Sequence, residues 1–318
     1  MSGARPRVLY LLGIHHSGTT LLSNLLGQLE GFTSAGELRS VWRKSVLPGA
    51  RCGCGLPFAE CPVWIPILRS VLGEGRERET LAREMTRCQR EALSEFHTWQ
   101  RVPSLLRQRG KPPREGTPLA RYAGELARMY RAIAAETGAA VIVDSSKEPT
   151  DAALLMMMPD IDVTFAHIVR DPRGTVNSIL RDNARRQVVA HRRQVQSTYA
   201  ALSWAAGNIA CAAVRRAAGQ DRSVLVHYEE FVSRPGETIQ ALTELAGSPR
   251  RLAVSADPGT VPMRAVHTVG GNNNRFRTGV IQVREDAAWR SQLHPLDRAV
   301  VTTVCAPLML RYGYALAS

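Results

Sequence analysis

The chain is 318 residues long, 44% hydrophobic, 22% charged and only 6% aromatic, which excludes a disordered chain, a collagen-like repeat and a small disulfide scaffold. Basic residues outnumber acidic ones by 41 to 28, a net charge of +13, and all but Lys44, Lys111 and Lys147 are arginine. Biased codon usage is the larger reason for that surplus, although forked arginine contacts also suit a polyanionic ligand.

The first apolar run, Val8–Leu12, is too short to span a membrane and lacks a cleavage site after it. It reads as a buried strand, and the protein is expected in the cytoplasm, where six cysteines would remain reduced. The strand leads into Gly13-Ile14-His15-His16-Ser17-Gly18-Thr19-Thr20 and then a helix over Thr19–Leu29. Strand, glycine-bearing turn and helix start together form an anion site, because backbone N–H groups converge there and the helix dipole favours negative charge. The spacing of Gly13 and Gly18 matches a nucleotide-triphosphate loop, but Thr19 stands where that loop carries the lysine that holds the outer phosphates.

A weak strand is expected near Phe32–Ser34, followed by Gly36-Glu37. Residues 45–115 carry charges, Trp, Pro and Cys without strand signals, and read as a helical insertion. Cys52, Cys54 and Cys61 could supply three metal ligands. A structural zinc site normally needs four, and no fourth lies close in sequence, so no metal is assigned. A helix over Leu119–Thr137 precedes a strand at Ala140–Val143, which closes on Asp144-Ser145-Ser146-Lys147.

The strand Val163–Val169 ends in Arg170-Asp171-Pro172-Arg173-Gly174-Thr175, with Asp171 as helix cap and Pro172 in the first turn of a helix covering Thr175–Asp182. Arg170 at the strand end and Ser178 in the helix can face one crevice and grip a phosphate dianion. A basic stretch, Arg185-Arg186 to Arg192-Arg193, is read as a helical flap. A helix over Tyr199–Ala217, a strand Val224–His227 ending before Tyr228-Glu229, and a helix over Thr238–Ala246 follow. Residues 255–285, rich in Gly, Asn, Pro and Arg, read as a long loop of the kind that is usually functional or disordered. Strands alternating with helices imply an α/β fold with a mostly parallel central sheet, helices on both faces and the 45–115 insertion, all in a single domain spanning 1–318.

His16-Ser17-Gly18-Thr19-Thr20 resembles the 5′-phosphosulfate loop of sulfotransferases, in which Lys or Arg usually precedes Ser-Gly-Thr-Thr. Arg170 and Ser178 resemble that family's 3′-phosphate motif. The Asp144–Lys147 turn is similar to those of its bacterial and carbohydrate-modifying branches, and the Cys52–Trp64 region resembles runs in bacterial relatives. The resemblance implies a P-loop-type three-layer fold and transfer of a sulfuryl group from 3′-phosphoadenosine 5′-phosphosulfate (PAPS), leaving adenosine 3′,5′-bisphosphate, with no metal required. It implies a hydroxyl acceptor on a small molecule, sugar or lipid conjugate.

By the same resemblance, His16, Ser17, Gly18, Thr19, Thr20, Arg170, Ser178 and Tyr228 hold the nucleotide, and Gly271, Asn272, Arg275 and Arg277 in the 255–285 loop cover it. Glu37 is the implied base, by similarity to tyrosylprotein sulfotransferases, with His15, His97 and His267 as alternatives. Lys147 and His16 are the implied catalytic cations, and residues 45–115 form an acceptor cap. An ATP- and magnesium-dependent phosphotransferase is the competing reading. A nucleic-acid-binding protein is disfavoured, because the basic run lacks interleaved aromatics. Acceptor identity and oligomeric state are not legible.

Overall fold

The computed structural model describes residues 5–93, 99–185, 193–252 and 259–317. Five parallel strands form the central sheet: β1 (Arg7–Gly13), β2 (Phe32–Gly36), β3 (Val141–Lys147), β4 (Asp162–Val169) and β5 (Ser223–His227), in the order β2-β3-β1-β4-β5. These are the five strands expected from the sequence, including the weak one. β1 is apolar on both faces because both are covered. Val8, Tyr10 and Leu12 enter one core while Leu9 and Leu11 enter the opposite one, as the two-residue period of a strand requires.

The second of these cores is closed by helix α1 (Thr19–Leu26), whose Leu22, Leu25 and Leu26 pack beside Ile239 and Leu242 of a later helix. The first core is closed by α2 (Val41–Lys44), α3 (Trp64–Leu72), α4 (Gly75–Leu93), α5 (Val102–Leu106), α6 (Pro118–Thr137) and α7 (Pro149–Leu155). Thus α3, α4 and α5 fall inside the segment 45–115, where helices were expected. A third core joins α8 (Pro172–Arg185), α9 (Arg193–Ala218) and the late helix Pro295–Arg311.

After β5 come α10 (Tyr228–Ser233) and α11 (Pro235–Leu245), which supplies Ile239 and Leu242. The stretch 255–285 is not entirely loop. It contains an antiparallel pair, β6 (Thr260–Met263) and β7 (Gly279–Gln282), with Val261 opposite Ile281. Both strands have only four residues, and Pro262 lies in one of them, so the alternation that announces a strand is too short to read. Helices α12 (Trp289–Gln292) and α13 (Pro295–Arg311) complete the described chain. No helix among the described residues is long and apolar enough to cross a membrane.

Candidate active site

The carboxyl end of every sheet strand delivers a residue singled out in the sequence. Glu37 follows β2, Lys147 ends β3, the loop 14–18 follows β1, Arg170 follows β4 and Tyr228 follows β5. Ligands of open α/β sheets bind outside the carboxyl ends of the strands. Here those ends border one cleft of about 1360 Å³, lined by Glu37, Lys147, His16, Gly18, Thr19, Thr20, Arg170, Ser178 and Tyr228 from the sheet side, and by Gly271, Asn272 and Arg277 from the late segment. Among the described residues, Ser17 and Arg275 lie behind this lining rather than in it.

The loop after β1 is held by the Ser17 N–H, which donates to the Ile14 carbonyl at 3.1 Å, and by the first helical bond from Leu22 N–H to the Gly18 carbonyl at 3.1 Å. Gly18 has φ 92°, and a Cβ there would lie 2.6 Å from the Tyr228 ring. Only glycine permits both that backbone and that approach. His16 also has a positive φ, 66°, an uncommon state for a residue with a side chain and one that concentrates at functional sites. Ser17 Oγ is buried with no hydrogen-bond partner among the described residues. A buried hydroxyl so placed, beside converging N–H groups at the start of α1, fits an anion in the loop.

Arg170 is buried beside this loop. Its guanidinium donates to the His16 carbonyl at 2.9 Å, to Ser178 Oγ at 3.4 Å and to the Asp286 carbonyl at 2.8 Å. It also stacks 4.5 Å from the Tyr228 ring centroid. Asp171 caps α8 by accepting from the Arg173 N–H at 2.8 Å. The sequence offered no sign of Asp286. Its carboxylate lies 3.4 Å from Arg170 and 3.7 Å from Arg181, on the cations that a phosphate dianion would use.

Lys147 and Glu37 form an ion pair in which Lys147 is almost wholly buried. Lys147 owes its position to an irregularity in β3: Tyr10 pairs with Asp144 and Leu12 with Lys147, so one extra residue is inserted and Lys147 takes φ 73°. Asp144 secures that corner by accepting from Tyr130 Oη at 2.6 Å and from the Ser146 N–H at 2.8 Å. Burial pushes the Glu37 carboxyl up, but Lys147, His15 and Lys44 together outweigh it and hold Glu37 below its ordinary value.

Lys44 belonged to no motif, yet a Cβ on Gly270 would lie 2.8 Å from its Nζ and 3.1 Å from Glu37 Oε2. Burial lowers Lys44 and Arg275 below their ordinary values, and Glu37 opposes both shifts. Glu148, next to Lys147 in the cleft lining, was also missed. Burial raises its carboxyl despite Arg39.

The late segment reaches the loop through Thr20, whose Oγ1 accepts from the Asn272 N–H at 3.3 Å. Arg275 donates to the Gly271 carbonyl at 2.6 Å, and Arg277 is exposed at the rim. Of the alternative bases, His15 is exposed in the cleft lining and His97 lies outside the described residues, as do Arg186 and Arg192. His267 is not a candidate base. It turns away from the cleft, with Nδ1 3.2 Å from Cys61 Sγ and 3.9 Å from Cys52 Sγ. The donor atom absent from the local sequence thus comes from the late segment: among the described residues, Cys52, Cys54, Cys61 and His267 lie together.

Residues 80–251 match the sequence profile described as the sulfotransferase family. Among solved structures, the fold is similar to the sulfotransferase domain of the olefin synthase of Synechococcus PCC 7002, with TM-score 0.54, 17% identity, and 99% of this chain and 98% of that one covered. It is also similar to the sulfotransferase domain from the curacin biosynthetic pathway, with TM-score 0.54, 13% identity, and 98% and 99% covered. No curated protein matches the chain.

Proposed function

Since the chain belongs to the sulfotransferase family, we propose that it moves a sulfuryl group from PAPS to the hydroxyl of a small-molecule or glycoconjugate acceptor. The observation that carries this reading is the single cleft in which the loop after β1, the Arg170–Ser178 pair and the Lys147–Glu37 pair meet. Two anion sites on neighbouring strands suit a nucleotide with phosphate at both its 3′ and 5′ positions.

The N–H groups of the loop, with Ser17, Thr19 and Thr20, hold the 5′ group. Arg170 and Ser178 hold the 3′-phosphate, while Tyr228 flanks the nucleotide, Gly271, Asn272 and Arg277 cover it, and Arg275 supports Gly271 from behind the lining. The bound donor supplies an electrophilic sulfur on a phosphate leaving group. Glu37 takes the acceptor's hydroxyl proton as the new O–S bond forms and the bond to phosphate breaks, leaving the electron pair on phosphate oxygen. Lys147 and His16 stabilise the charge arriving there.

While paired with Lys147, Glu37 is a weak base. When Lys147 turns to the donor's bridging oxygen, the carboxylate loses its principal counter-charge, its basicity rises and it becomes available to the acceptor. Trp99, Glu148 and Tyr199, which also line the cleft, receive the acceptor.

Thermal unfolding with adenosine 3′,5′-bisphosphate, compared with ATP plus magnesium, tests the donor. At about 100 times its Kd the bisphosphate contributes about 2.7 kcal/mol, which raises the midpoint by several degrees, and Arg170→Ala abolishes the shift. Stabilisation by ATP and magnesium alone would overturn the reading in favour of a phosphotransferase.

A further inference from the structure

Away from the cleft, the four donor atoms of Cys52, Cys54, Cys61 and His267 all lie within 4.8 Å of one another. We propose that they bind a zinc ion in a closed Cys3His site that fastens the segment 50–61 to the late segment covering the nucleotide cleft. In a tetrahedral zinc site with Zn–S of about 2.3 Å and Zn–N of about 2.0 Å, ligand atoms of a Cys3His set stand roughly 3.5–3.8 Å apart. The distances of 3.2 Å from Cys61 to His267, 3.9 Å from Cys52 to His267 and 4.0 Å from Cys54 to Cys61 fit that figure with small adjustments. Three soft sulfurs and one imidazole favour zinc over the hard cations, which prefer oxygen.

The surrounding backbone is built to present these ligands. Cys52 and Cys54 sit on a tight turn in which the Gly55 N–H returns to the Cys52 carbonyl at 2.9 Å, with Gly55 at φ 92°. The Cys52 N–H donates to the Leu56 carbonyl and Phe58 to Ala50, closing a small hairpin. Cys61 lies just before α3, and its carbonyl receives the Ile65 N–H at 3.0 Å. The positive end of that helix favours a thiolate.

The backbone at His267 is held independently of its ring. Trp64 Nε1 donates to the His267 carbonyl at 2.9 Å, and the Gly53 N–H donates to the Thr268 carbonyl at 3.0 Å. The next residue but one, Val269, donates to the Ala35 carbonyl on β2 at 2.9 Å. One short strap therefore links the cysteine hairpin, the Glu37 corner and the Gly271–Arg277 segment, and a metal at the hairpin anchors it. Among the described residues, none of the four ligands lines the cleft, so the role is structural.

The test needs no substrate and so is independent of the proposed reaction. The full chain, purified under reducing conditions with zinc supplied, is measured for metal content and then exchanged with cobalt(II). The site predicts about one zinc per chain, and a cobalt form with thiolate charge-transfer absorption and the strong visible bands of tetrahedral coordination. Cys61→Ser loses the metal, whereas His267→Cys retains it with a spectrum shifted toward four sulfur ligands. Should Cys61→Ser fail to fold, alkylation of the wild type decides, because the three thiols should react only after a chelator is added. No bound metal after reconstitution, immediate alkylation of all three thiols, or a disulfide among them would overturn the proposal.

Discussion

Lys147 and Glu37 come from adjacent strand ends, yet each is set by a different local feature: a strand irregularity for Lys147 and the Gly36 corner for Glu37. Their pairing fixes the pH behaviour of the proposed reaction. A base must be ionised, so kcat/KM, which reports the free enzyme, should fall as pH drops through the lowered value of Glu37, beneath the ordinary glutamate range near ~4.3. In Lys147→Met, burial is less strongly opposed, the carboxyl rises, and the acid limb of kcat/KM moves to higher pH while kcat falls by roughly 10²–10³. Glu37→Gln should remove the acid limb altogether. If that limb survives in Glu37→Gln and disappears in Glu148→Gln, the base is Glu148. Asp286 calls for a separate variant, because its carboxylate sits where a 3′-phosphate would be received. Asp286→Asn should bind adenosine 3′,5′-bisphosphate more tightly by titration calorimetry, and weaker binding would show that Asp286 orders the site rather than competes for it.

The β3–α7 corner gathers the buried carboxyl groups of Asp144 and Asp151 and the half-buried one of Glu148, and desolvation raises all of them despite Ser146 and Tyr130 at Asp144 and Arg39 at Asp151 and Glu148. Asp144 is pushed up to about 6, above an ordinary value of about 3.9. Its contribution to stability is present below the ordinary value and is lost as pH rises through about 6, a change of roughly 2–3 kcal/mol. Denaturation midpoints measured between pH 4 and 7 should therefore fall more steeply for the wild type than for Asp144→Asn. Four strands of the sheet were legible because each is a short apolar run bounded by turn residues, whereas β2, Phe32-Thr33-Ser34-Ala35-Gly36, gave only a weak signal. The β6–β7 pair was not, since its strands are short, one contains proline and the other is mostly exposed.

Across the whole molecule, the legible parts of the site are those in which one continuous stretch carries its own geometry: the loop after β1, Arg170 with Ser178, and the Asp144–Lys147 turn. Lys44, Glu148, Asp286 and His267 were missed or misread because what they meet is decided by chain far away. His267 reaches cysteines more than 200 positions earlier, and no local pattern can announce such a meeting. The sheet is what converts these scattered residues into one site. Neighbouring strands stand about 4.8 Å apart, and Glu37, Lys147, the β1 loop and Arg170 follow four successive strands. The sheet is in effect a ruler graduated by strands, with Arg170 about 14 Å from Glu37 along its edge. On the proposed reading the two phosphate groups of the donor fall on the neighbouring graduations of the β1 loop and Arg170, so selection for a doubly phosphorylated donor would be a measurement of length, taken by backbone hydrogen bonds that never touch the ligand.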